Sequence, residues 1–163
     1  AAFIIDLGLG PQWHLRTAHA EFHDSRLAAE ALFLAQEYAL KDIDGVFEAA
    51  GVEYALIKGG ANRLMLYDNP AIRACHDLDL LVHPDNRVQA ASALVEAGFV
   101  AEPESKSISR ELMLTRGEVT IDLHWALLRE GRLRHEPISE MLSRRLRQGE
   151  VWTLSAEDAL FTL

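Results

Sequence analysis

Apolar positions recur near helical spacing across residues 24–50: Leu27, Ala31, Leu34 and Tyr38, then Val46, Phe47 and Ala50. Ala and Glu are plentiful there and Gly51 follows as a stop, so the pattern predicts a long amphipathic helix with those residues facing the core. A shorter helix is predicted ahead of it, over about residues 12–22. The period then changes. Residues 53–58 form a short apolar run ended by Gly59 and Gly60, which predicts a strand, a glycine turn and a helix over residues 61–67, closed by Asp68-Asn69-Pro70.

Asp77-Leu-Asp-Leu-Leu-Val82 alternates as a strand and stops at His83-Pro84, and residues 85–97 follow as an amphipathic helix ended by Gly98. Residues 102–109 are polar and read as a loop. Residues 111–115 and 118–125 read as two strands around a hairpin turn at Arg116-Gly117. Everything from Ala126 onward is expected to be helix and loop. No repeat or linker divides the chain. The expected fold class is α+β (mixed α/β): a mixed sheet flanked by helices, with residues 1–50 as a helical segment packing on the core, 51–128 as the core, and 129–163 as a C-terminal helical segment.

Strand geometry brings chemistry into this pattern. Alternate side chains share a face, so Asp77 and Asp79 point to one side while Leu78, Leu80 and Val82 point to the other. Two adjacent carboxylates repel unless a cation lies between them, and a hard oxygen pair suits Mg²⁺. On the later strand Thr120, Asp122 and His124 share a face opposite Ile121, Leu123 and Trp125. If the two strands are neighbours, Asp122 joins the pair, and three carboxylates on adjacent strands can hold two metal ions about 3.5–4 Å apart, the arrangement of phosphoryl and nucleotidyl displacement. The Gly59-Gly60 turn offers bare backbone N–H groups to a phosphate at a helix start. Lys58 and Arg73 add positive charge nearby.

Composition narrows the classes. The 163 residues, 49% hydrophobic and 25% charged, suffice for one globular domain, and a formal charge of −9 opposes an extended nucleic-acid surface and a polymerase role. Six arginines between Arg129 and Arg147 face three glutamates, making that stretch locally basic: a solvated helix face, or the edge of a groove for an anionic substrate. The single Cys75 excludes a cysteine-based zinc site and an intrachain disulfide, so the cytoplasm is the expected location, and no apolar window is long enough for a membrane span. Cys75 reads as a small loop or core residue, His76 and His83 as loop residues, and Trp13, Trp125 and Trp152 as packing residues. His19 and His23 have the spacing of a metal pair but no third ligand, and read as a solvated face. His124 would face the metals and touch one of their ligands or the acceptor, or else hydrogen-bond a strand end. The missing initiator Met and the helix opening at Ser155 just before the end predict a longer chain, whose further helical part would hold half of the substrate site.

Leu56-Ile-Lys-Gly-Gly60, Tyr67-Asp-Asn-Pro70, Arg73, Asp77-Leu-Asp-Leu-Leu-Val82 and Ile121-Asp-Leu-His-Trp125 together resemble the uncharacterised nucleotidyltransferase family of the DNA polymerase β-like nucleotidyltransferase superfamily, over about residues 25–128. The resemblance implies transfer of a nucleoside monophosphate from an NTP to a hydroxyl of a small molecule, peptide or protein, with release of pyrophosphate and two Mg²⁺ or Mn²⁺ ions. It implies that Asp77 and Asp79 bind both ions, that Asp122 binds the one acidifying the acceptor hydroxyl, and that Gly59 and Gly60 hold the triphosphate with Lys58 and Arg73. Two features depart from the superfamily pattern: Gly60 replaces the usual Ser of the turn, and the gap from Gly60 to Asp77 is longer than in minimal members. A fold relative without transfer activity, serving as a binding or antitoxin-like module, is the alternative. A phosphohydrolase is disfavoured by the shortage of further His and Asp ligand motifs.

Overall fold

The computed structural model describes residues 16–102, 111–127 and 136–162, with side chains from residue 24 onward. Trp13, the side chains of His19 and His23, most of the expected 102–109 loop, and Arg129, Arg132 and Arg134 lie outside the described residues. Helix α1 (Arg16–Ala50) is one continuous element, where two helices were expected. Gly51 ends it at φ 67°, and Val52 N–H returns to the Phe47 carbonyl at 2.8 Å, closing the last turn as a left-handed cap does.

The elements that follow are β1 (Tyr54–Ile57), α2 (Lys58–Leu66), β2 (Asp77–Val82), α3 (Arg87–Glu96), β3 (Val100–Ala101), β4 (Glu111–Arg116) and β5 (Val119–His124). Then come α4 (Ile138–Ser143), β6 (Leu146–Gln148), β7 (Val151–Thr153) and α5 (Ala156–Ala159). The strands form one seven-stranded mixed sheet in the order β3-β4-β5-β2-β1-β7-β6. The β6–β7 hairpin corrects the expectation of helix and loop after Ala126. Its strands are three residues each, too short to show a period, and Gly149 at φ 61° makes the turn between them.

Each face of the sheet has its own apolar layer. Leu56, Leu78, Leu80 and Val82 pack with Ile121 and Leu123 under Ala39, Leu40, Ile43 and Phe47 of α1 and Ala90 and Leu94 of α3. On the opposite face Ala55, Ile57 and Leu81 pack with Ile138, Met141 and Leu142 of α4 and with Leu154. The α1 stripe differs from the expected one: Leu27, Leu34 and Tyr38 are 52%, 63% and 70% exposed. The helix carries two interleaved apolar rows, and the one that docks runs through Gln36, a polar residue that hydrophobic periodicity passes over. No helix among the described residues is long and apolar enough to cross a membrane.

Candidate active site

The face carrying the smaller apolar layer is also the face of the acids. β2 and β5 pair in parallel with Asp77 opposite Thr120, Asp79 opposite Asp122 and Leu81 opposite His124. Parallel pairing aligns the two strands end to end, so the Asp79 and Asp122 carboxylates stand side by side. β4 continues the face, placing Glu111 opposite His124 and Met113 opposite Asp122.

Asp79 is 5% exposed and one of its oxygens collects two donors. Lys58 Nζ lies 2.6 Å and His124 Nε2 2.8 Å from Asp79 Oδ1, and Lys58 Nζ is 3.2 Å from the same imidazole nitrogen. The other ring nitrogen, Nδ1, lies 3.3 Å from Glu111 Oε2. Burial alone pushes the Asp79 carboxyl up, but the hydrogen bonds to His124 and Lys58 and the lysine charge outweigh it and hold the group below the usual carboxylate range. Asp122 is pushed the other way, first by burial and then by repulsion from Asp77 and Asp79.

Ligand atoms of Asp79, Asp122 and His124 all lie within 4.8 Å of one another. Asp77 sits on the same face one alternation away and is half-buried. The donor chemistry fits a divalent cation: the carboxylates offer hard oxygens for Mg²⁺ or Mn²⁺, and an imidazole nitrogen also suits Mn²⁺.

At the edge of this group β1 turns directly into α2. The expectation was a glycine turn with the helix opening at Ala61; instead the helix opens at Lys58, and the residue with positive φ is Lys58 itself, at 51°. That conformation, unusual for a side-chain-bearing residue, accompanies the turn that brings the ammonium to Asp79. The glycines lie in the first helical turn because space forbids anything larger. A Cβ on Gly60 would stand 2.9 Å from Leu56 Cδ1, and one on Gly59 would stand 3.3 Å from Cys75 Sγ and 4.0 Å from Arg73 Nη2. No side chain caps the helix start, where residue 57 is the cap position, so its amides are open to a ligand. Arg73 is exposed, and its Nη1 donates to the Ala74 carbonyl at 2.6 Å.

The remaining candidates lie outside the Asp79, Asp122 and His124 group. Cys75 is buried, burial raises its thiol, and Sγ donates to the Asp77 carbonyl at 2.9 Å. His76 is exposed in the loop before β2, and His83 Nδ1 accepts from Asp85 N–H at 3.2 Å. In the basic stretch Arg144, Arg145 and Arg147 pair with Asp158, Glu53 and Asp44, and the last two lie over the Trp152 ring. Glu111 was not singled out from the sequence. The hairpin turn falls at Gly117 and Glu118, one residue later than the expected Arg116-Gly117, and that shift moves Glu111 from opposite Asp122 to opposite His124.

Residues 12–163 match a family model described as uncharacterised nucleotidyltransferase. No curated protein sequence matches the chain.

Proposed function

The chain belongs to the uncharacterised nucleotidyltransferase family, and on that premise we propose that it is a metal-dependent enzyme moving a nucleoside monophosphate from an NTP to a hydroxyl of a small molecule, peptide or protein. The observation that carries this reading is the register of β2 on β5, which sets Asp79 directly opposite Asp122 beside the uncapped start of α2.

In this reading Asp77, Asp79 and Asp122 hold two divalent ions, Mg²⁺ or Mn²⁺, which supply charge neutralisation at the phosphates and acidify the acceptor hydroxyl. The Gly59 and Gly60 amides take triphosphate oxygens at the positive end of α2, with Lys58 and Arg73 adding charge. The acceptor oxygen attacks the α-phosphorus, the bond to the β-phosphate oxygen breaks, and pyrophosphate leaves. Asp122, placed beside Asp79, is the carboxylate that would help take the hydroxyl proton. His124 positions Asp79 through Nε2 and is itself held by Glu111. The acidic surface agrees with a small or protein acceptor in the cytoplasm rather than a long nucleic acid.

One observation favours the alternative, a catalytically silent binding or antitoxin-like module. Lys58 and His124 together already satisfy Asp79 Oδ1 without a metal ion. Calorimetry separates the two. Transfer predicts that Mg²⁺ or Mn²⁺ strengthens NTP binding and that Asp79→Ala removes the metal-dependent part, with labelled NTP then passing label to a component of cell extract. No NTP binding under any metal condition, and no label transferred, refutes the transferase reading.

A further inference from the structure

Among the described residues Arg63 is the largest fully buried side chain, 1% exposed, and no carboxylate there hydrogen-bonds it. Its Nη1 donates to Gln36 Oε1 at 2.6 Å, and Gln36 Nε2 passes the contact on to the Cys75 carbonyl at 3.0 Å. The Phe33 ring lies 4.9 Å from the guanidinium carbon. Nε and Nη2, however, have no hydrogen-bond partner. These two nitrogens form one edge of the guanidinium, the fork that takes both oxygens of a carboxylate or phosphate in parallel. Glu37 acts on the guanidinium only through its charge, without a hydrogen bond, and two buried donors left unfilled are costly to hold unless something completes them.

The surroundings say what would complete it. Phe33 and Gln36, which touch the guanidinium, and Cys75, which Gln36 bonds, line with Arg63 one cleft of about 350 Å³ between α1, α2 and the loop before β2. Leu32 adds to its apolar lining, and Arg73 and His76 add polar lining. We propose that this cleft binds a small organic anion, its carboxylate or phosphate head on Arg63 Nε and Nη2 and its apolar body against Leu32 and Phe33. Both nitrogens are closed from solvent, so a wall side chain moves as the ligand enters, and the bonds then form away from water, where they are strongest.

The cleft shares Arg73 with the transfer reading but none of its carboxylates, and it is tested without metal or NTP. The probes are benzoate, phenyl phosphate and inorganic phosphate, with benzyl alcohol as an uncharged control, followed by calorimetry. Benzoate or phenyl phosphate is expected to bind the parent protein and Asp79→Ala alike, benzyl alcohol not at all, and whichever of the two acids binds more tightly identifies the head group. Arg63→Met, and Ala29→Trp, which fills the cleft while keeping Arg63, are each expected to weaken binding by roughly tenfold or more. If Arg63→Met fails to fold, Ala29→Trp carries the test alone. Inorganic phosphate binding as tightly as phenyl phosphate overturns the apolar half of the proposal. No saturable binding, or binding unchanged by both cleft variants, overturns all of it.

Discussion

Replacing Lys58 separates two opposing effects at one residue. The ammonium gives Asp79 one of its two hydrogen bonds, while the backbone holds φ at 51°. A hydrogen bond to a charged buried group is worth about 1.5–3 kcal/mol. Lys58 is 42% exposed along its side chain, and solvent screening reduces that to about 1–2 kcal/mol. A side-chain-bearing residue at this φ costs about 1 kcal/mol that glycine does not. Lys58→Met, which loses the bond and keeps the backbone cost, is therefore expected to destabilise by about 1–2 kcal/mol, and Lys58→Gly by about 0–1. Urea denaturation at neutral pH, without metal, measures both. The pH profile gives a second reading. The folded Asp79 pKa is lowered, so its contribution is present above the ordinary carboxylate range and lost as pH falls through the folded value. Without Lys58 that lowering shrinks, and the loss of stability begins at higher pH. Lys58→Gly proving no more stable than Lys58→Met would refute the backbone argument, and an unmoved acid limb would refute the ion pair.

Three further predictions rest on separate contacts. Gly60→Ala forces a methyl to 2.9 Å from fully buried Leu56, an overpacking cost of about 1–3 kcal/mol that roughly 1 kcal/mol of helix propensity offsets, whereas Gly59→Ala meets only Cys75 Sγ at 3.3 Å; equal melting temperatures for the two variants would contradict this. Asp158 takes two hydrogen bonds from Arg144, at 2.7 and 2.6 Å, which with the Ser155 hydroxyl hold its carboxyl low against the opposing push of burial. Asp158→Asn should thus be less stable than the parent at neutral pH, the gap closing as acid protonates Asp158, and a gap undiminished in strong acid would count against it. For Asp122, whose pKa is raised, charging costs stability as pH climbs through the unfolded value towards the folded one. Asp122→Asn should melt above the parent at neutral pH in chelator, match it in acid, and fall below it in saturating Mn²⁺; no reversal with metal would remove Asp122 from the cation site.

Much of the site was legible because strands report their faces directly. Asp77, Asp79, Asp122 and His124 fall on one face from alternation alone, and the parallel pairing of β2 with β5 then joins them, a long-range fact that local pattern leaves conditional. The start of α2 was legible as a glycine-bearing strand-to-helix turn, but the inversion of roles was not: the positive φ falls on Lys58, and the glycines answer to Leu56 and Cys75, which only tertiary packing brings near. Periodicity held for Val46, Phe47 and Ala50 but failed on the first half of α1 for a related reason. Leu34 and Tyr38 look like core, but the docking row includes Gln36, whose place depends on Arg63 from another helix. The β6–β7 hairpin escaped because three residues carry no measurable period.

The short outer strands of this sheet have a consequence for association. A sheet that ends in a long, flat strand offers a row of unpaired amides and carbonyls to any similar chain. Here the two margins are β3, with two residues, and β6, with three. At the second margin Arg147 is tied to Asp44 by two hydrogen bonds, at 2.8 and 2.7 Å, which fixes a charge in the middle of the strand. Among the described residues neither margin is long enough to template a neighbouring copy in register, which disfavours edge-to-edge aggregation through these strands.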